Sequence, residues 1–319
     1  MKNKKLYISL GIILICALVL AVNSFRSPSV PSLKAWKDAA DEIVITRDGK
    51  DTGIALKEGK WQIGEKAFPA DPETMTQIEN KLKNLKLAEL ITDKPPYERY
   101  ELEGERAVRV RVKAGGALLR DVTLGKKSST MRHTYVRLGE APEVYLATGG
   151  FDEITKPVEE LRDKTVMKVS KGAIESVEIV NKGIRTRLVK QIEEKKEESP
   201  EKDEAVPEGP VREKTKKVEK WTLDGNPAAR VDEGKLGQAL ASFDPLKAMS
   251  YSDQEVKGLA PLCTVTIRAF DKNMRLDIFK KLDESKYLCS SSESPYPFTM
   301  DSWKVENTII KVADEIVKK

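Results

Sequence analysis

Apolar and polar residues alternate along most of the chain, and the breaks in that alternation set out its elements. Glu42-Ile43-Val44-Ile45-Thr46, Gly53-Ile54-Ala55-Leu56 and Trp61-Gln62-Ile63 are three short runs separated by Asp48-Gly49 and Glu58-Gly59. Period-two runs broken by such pairs predict a small antiparallel sheet. The period then becomes helical. Met75, Ile78, Leu82 and Leu85 share one face, Asp71 is placed to cap the helix, and Pro72 suits the first helical position. Alternation returns at Val108-Arg109-Val110-Arg111-Val112, and residues 118–124, 134–138 and 143–146 continue it as a meander.

The same order occurs again. Residues 174–180, 186–189 and 221–223 supply three strands, Asp232 can cap a helix presenting Leu236, Leu240 and Phe243, and residues 265–269, 276–279 and 287–288 rebuild a meander. Trp61 and Trp221 stand 160 positions apart, and Leu102 and Leu259 stand 157 apart. Near-constant offsets across several elements indicate an internal repeat. The predicted class is α+β, with tandem repeat domains at residues 41–165 and 166–319, each a small antiparallel sheet with one main packing helix. The second copy ends at Trp303 in a meander that reads as degenerate.

Two segments fall outside the repeat. Residues 191–220 contain 18 charged side chains and three prolines among 30 residues, with no aromatic. Such a stretch buries too little apolar surface to order itself, so it is expected to be a disordered insertion at a hairpin tip. At the other end, Lys2, Lys4 and Lys5 precede 17 uncharged residues, 6–22. As a helix that run spans about 26 Å, near the roughly 30 Å of a hydrocarbon core. Lysines before such a run hold the start of the chain in the cytoplasm. Residues 1–24 therefore read as an uncleaved transmembrane anchor, with signal-peptide cleavage after Ser24 as the competing fate. Residues 25–40 read as a juxtamembrane linker, and the bulk of the chain as extracytoplasmic.

Several of these segments carry a family resemblance. They are Pro69-Ala70-Asp71 at the helix start, Gly258-Leu259-Ala260-Pro261 before a Thr-Val-Thr-Ile strand, and Tyr135-Val136-Arg137-Leu138 with Val144-Tyr145-Leu146. In this order they resemble the bacterial domain-of-unknown-function family 4340 (DUF4340) over residues 41–319, in two copies. Tyr100-Glu101-Leu102 departs from the family's usual Tyr-Gly-Leu. The resemblance implies a single-pass protein of the bacterial inner membrane, facing the periplasm. It also implies an accessory role beside ABC-2 or gliding-type export permeases. It carries over no catalytic residues.

Composition narrows the chemistry. With 56 basic and 51 acidic residues the net charge is only +5, too dilute for a nucleic-acid footprint. The single histidine, His133, excludes multi-histidine metal sites, and neither common phosphate-binding glycine loop occurs. No catalytic, cofactor or metal residues are expected.

Arg109, Arg111 and Lys113 alternate with valines, so they share one strand face, which Arg120, Arg132 and Arg137 are candidates to join. Such a patch suits an anionic envelope ligand or lipid head group, against the alternative of an ordinary solvated sheet face. Cys263 and Cys289 are a candidate disulfide in an oxidising compartment. One intervening strand would hold them about 10 Å apart, however, which favours two small buried apolar side chains. The leading expectation is a non-enzymatic membrane-anchored scaffold. An anionic-ligand module and an envelope hydrolase are the alternatives.

Overall fold

Asp48 and Gly49, both at positive φ (46° and 69°), fold β1 (Glu42–Arg47) back onto β2 (Lys50–Lys57). This is the turn chemistry that matches the twist of a two-residue hairpin. The computed structural model describes residues 15, 30–196, 215–311 and 315–318. The chain divides into two compact units, Met1–Asp163 and Lys164–Lys319. Among the described residues no helix is long and apolar enough to cross a membrane. The anchor expected at residues 1–24 lies outside the described residues except for Ile15.

In the first unit, β3 (Lys60–Ile63) and β4 (Phe68–Pro69) extend the hairpin, and α1 (Pro72–Lys83) follows. β5 (Leu87–Thr92), β6 (Val108–Ala114), β7 (Ala117–Lys127), β8 (His133–Leu138) and β9 (Val144–Thr148) complete a nine-stranded antiparallel sheet. Its order is β4-β3-β2-β1-β6-β7-β8-β9-β5. Asp71 caps α1 as the sequence predicts, its Oδ1 accepting from the Thr74 N–H at 2.8 Å. Met75, Ile78, Leu82 and Leu85 are buried in one cluster with Ile43, Ile45, Val110, Val112, Val122 and Leu124. Each such side chain contributes about 2 kcal/mol by leaving water.

A smaller apolar cluster forms from Tyr100, Leu102 and Val144, with Tyr135 4.8 Å from Tyr100 between ring centroids. The loop carrying Tyr100 crosses the sheet at Gly125, where an added Cβ would lie 2.2 Å from the Tyr100 carbonyl oxygen. Only glycine fits there.

The stretch expected as a linker over residues 25–40 is packed onto this unit where it is described. Trp36 and Ala40 are buried in the core cluster, and Val30 and Leu33 pack against it. Their spacing of three or four residues turns one side of an otherwise polar segment inward.

In the second unit, β10 (Thr165–Met167) leads into β11 (Ile174–Asn181), β12 (Ile184–Lys196) and β13 (Thr215–Leu223). β14 (Arg230–Val231) precedes α2 (Glu233–Ala241), whose Asp232 cap accepts from the Lys235 N–H at 3.1 Å. β15 (Leu246–Lys247) pairs with β10. β16 (Ser250–Tyr251), β17 (Cys263–Ala269), β18 (Lys272–Asp283), β19 (Lys286–Ser291) and β20 (Ser294–Asp301) follow, and β21 (Val317–Lys318) pairs with β14. The main sheet has eight strands in the order β13-β12-β11-β17-β18-β19-β20-β16. Leu236, Leu240 and Phe243 are buried with Val177, Val265 and Ile267.

Two expectations are corrected here. The last meander is not degenerate: β19 and β20 pair from Lys286↔Asp301 to Ser291↔Ser294, and Phe298 and Met300 are buried. Pro295 and Pro297 disguise β20 in the sequence, since proline argues against an inner strand. The charged insertion is also ordered at both ends, because β12 and β13 pair as far as Lys196↔Thr215. Backbone pairing, supported by the cross-strand pairs Lys190–Glu219 (3.5 Å) and Lys220–Glu193 (3.7 Å), replaces the missing apolar burial. Residues 197–214 of the insertion lie outside the described residues.

Candidate functional site

The basic strand face forms, but its charges are already matched. Arg109, Arg111 and Lys113 do lie on one face of β6, opposite the buried Val108, Val110 and Val112. Arg109 makes a two-pronged contact with Asp121 on β7, at 2.9 and 2.7 Å, and reaches Glu140 at 2.6 Å. Hydrogen bonding to Asp121 pushes the Arg109 pKa further up. Arg111 holds Asp51 at 2.6 Å, and Lys113 holds Glu42 at 3.1 Å. The Asp51 carboxyl sits below its ordinary range, chiefly through the Thr46 hydroxyl and then through Arg111. Arg137 joins this face by register, since Thr123 is paired to both Arg109 and Arg137. It faces Glu103 at 3.8 Å and lies over the Tyr97 ring.

Arg120 does not belong to the patch. In the regular β6–β7 register Arg120 pairs with Val112, which puts it on the core side with Val122 and Leu124, where it is 9% exposed. Its Nε donates to the Leu82 carbonyl at 3.3 Å and its Nη2 to the Lys34 carbonyl at 2.9 Å. Burial lowers its pKa. Arg120 is therefore a packing residue that ties residues 30–40 to the end of α1. Arg132 is exposed just before β8, and its carbonyl accepts from the Gly149 N–H at 2.9 Å. His133 is half-buried at the start of β8, and its backbone N–H donates to the Ser128 hydroxyl at 3.3 Å.

The candidate disulfide is not formed. Cys263 on β17 and Cys289 on β19 are buried thiols not bridged to each other, and both are register partners of Ile278 on the strand between them. Burial, and then the neighbouring Cys263, push the Cys289 thiol up to about 12. Among the described residues no group of His, Cys, Asp and Glu side chains is placed to hold a metal ion. A surface groove of about 380 Å³ lies between the end of α1 and Gly149-Gly150. Its cation, Lys81, is engaged by the Gly150 carbonyl at 2.9 Å and by Glu153 at 2.5 Å.

One feature with interaction potential was not legible as such in the sequence. β11 pairs with β12 only as far as Ser176↔Val189, whereas β12 and β13 stay paired to Lys196↔Thr215. Residues 190–196 and 215–221 thus form a two-stranded ribbon that runs about 20 Å past the last β11 pair. β13 is the outermost strand of its sheet. The Trp221 N–H donates to Glu233 Oε1 at 3.3 Å rather than to β12. By the two-residue period of an antiparallel ladder, the backbone groups of Glu219 and Lys217 also turn outward. Ile192 on the inner strand is 62% exposed.

Comparison with curated proteins and with solved structures returned no significant match. A family model does match, over residues 61–220, half of the chain. Its span runs from β3 of the first unit to β13 of the second. The chain belongs to the family described as domain of unknown function (DUF4340).

Proposed function

We propose that the chain is a non-enzymatic, membrane-anchored extracytoplasmic scaffold, an accessory subunit of an ABC-2 or gliding-type export permease complex. The observation that carries the scaffold role is the ribbon of β12 and β13. A two-stranded ribbon is marginally stable in water, and its outer edge presents unpaired backbone groups that another chain can extend. The family resemblance supports the choice of permease as partner.

The two units are read as copies of one ancestral unit. In support, the order β3-β2-β1-β6-β7-β8-β9-β5 of the first sheet corresponds strand for strand to β13-β12-β11-β17-β18-β19-β20-β16 of the second. The family match also begins at Trp61 and ends at Lys220, the residue before Trp221, which is one period of the repeat.

The alternative, an anionic ligand held on the Arg109 face, is disfavoured by the acidic partners Asp121, Glu140, Asp51 and Glu42. The test is affinity capture of the full-length chain from its native membrane in mild detergent, with mass spectrometry of the co-purifying chains. Recovery of a permease and its ATPase is expected. Glu219→Pro should abolish it, because proline there removes an outward N–H and spares the ladder to β12. Capture of no permease overturns the assembly. Capture unaffected by Glu219→Pro overturns the ribbon as its contact.

A further inference from the structure

We infer that the end of the first unit where the chain enters its sheet rests on an anionic lipid surface. This deepens the anchored reading above and depends on it. Seven residues, 23–29, separate the apolar run from Val30, a span of about 25 Å at full extension. From Val30 the chain is fixed rather than loose. Val30 and Leu33 pack on the core, Trp36 is buried, and Arg120 clamps the Lys34 carbonyl and the Leu82 carbonyl together. A short connection into a firmly packed segment confines that end of the unit to the neighbourhood of the bilayer.

The side chains there have interfacial chemistry. Lys34 and Lys37 are exposed on the packed segment, and Lys83 is half-exposed at the end of α1, beside the clamped Leu82. None of the three has an ion pair among the described residues, unlike Arg109, Arg111 and Lys113. The nearby acids are largely occupied: Asp41 accepts from the Gly115 N–H at 2.7 Å and Glu42 holds Lys113. Asp38 and Asp41 are the exposed acids in this stretch. Leu118, at the same end of β7 and paired with Lys113, is 58% exposed. Unpaired lysines beside half-buried Val30 and Leu33 on the core side, with Leu118 protruding from the opposite face at the same end of the sheet, match a head-group layer met end-on, in which apolar tips enter and cations meet phosphate.

The test uses the full-length chain carrying Cys16→Ala, reconstituted into vesicles of phosphatidylcholine alone or with phosphatidylglycerol. An environment-sensitive fluorophore is attached at Leu118→Cys, or at Lys50→Cys about 20 Å away at the other end of β1. Lipid carrying a quencher just below the head group should quench the label at 118 roughly threefold more than the label at 50 in anionic vesicles. The triple variant Lys34→Glu/Lys37→Glu/Lys83→Glu should remove that excess. Co-flotation with vesicles but equal quenching at both positions overturns the inference and leaves the anchor standing. Equal quenching at 118 in neutral and anionic vesicles overturns it as well. A chain that does not co-float overturns the anchor, and the inference with it.

Discussion

The Arg120 guanidinium lies over the Trp36 ring, 5.5 Å from its centroid, and joins two backbone carbonyls that are far apart in sequence. A buried arginine is tolerated only when its donors are used. Here they fasten residues 30–40 to the last turn of α1. Arg120→Ala leaves the Leu82 and Lys34 carbonyls without that donor and uncovers the indole. It is expected to cost about 3 kcal/mol in urea unfolding. Hydrogen exchange should accelerate first at residues 33–40.

Gly125 tests the loop that carries Tyr100. Gly125→Ala puts a Cβ 2.2 Å from the Tyr100 carbonyl oxygen, which is backbone and cannot swing aside. The loop has to lift, exposing Tyr100 and Leu102. A loss of about 2–4 kcal/mol is expected, with a rise in tyrosine accessibility. Gly53→Ala is the control: its added Cβ meets nothing within 4 Å and its backbone is in the ordinary region, so the change should be within about 0.5 kcal/mol.

The strand and helix pattern was legible wherever one face is buried. Met75, Ile78 and Leu82 announce α1 because three apolar residues at helical spacing have no other economical arrangement. Val108, Val110 and Val112 announce β6 for the same reason at period two. What escaped notice depends on partners distant in sequence. Arg120 shares the core-side parity of Val122 and Leu124, but the Leu82 and Lys34 carbonyls that make its burial tolerable lie far off in sequence. The acids that neutralise Arg109 and Arg111 come from Asp121, Glu140 and Asp51, on other strands and loops. The paired ends of the insertion hold by backbone hydrogen bonds, which hydropathy does not register.

The Arg109–Asp121 pair is expected to be worth more than a typical surface pair. It is two-pronged, and the Asp121 side chain is only 14% exposed. A double-mutant cycle with Arg109→Ala and Asp121→Ala should give a coupling of about 1–2 kcal/mol, against less than about 1 for an exposed pair such as Arg268–Asp271. Raising the salt should weaken the exposed pair more.

Cys289 makes the second unit's stability depend on alkaline pH. The folded thiol ionises near 12, whereas an exposed thiol ionises near about 8.5. Between those values the unfolded chain has lost the proton and the folded chain keeps it. By linkage, stability then falls as pH rises, by up to about 1.4 kcal/mol per unit from this one group, and below that window the thiol contributes no slope. Cys289→Ala removes the ionisable group and leaves a small cavity, a cost that does not vary with pH. The stability advantage of the native chain over Cys289→Ala should therefore be constant from pH 6 to about 8 and shrink steadily above about 9. Urea unfolding of both chains across this range is the measurement. A difference that stays level to pH 11 or so would show that Cys289 is reached by water and ionises as an ordinary thiol.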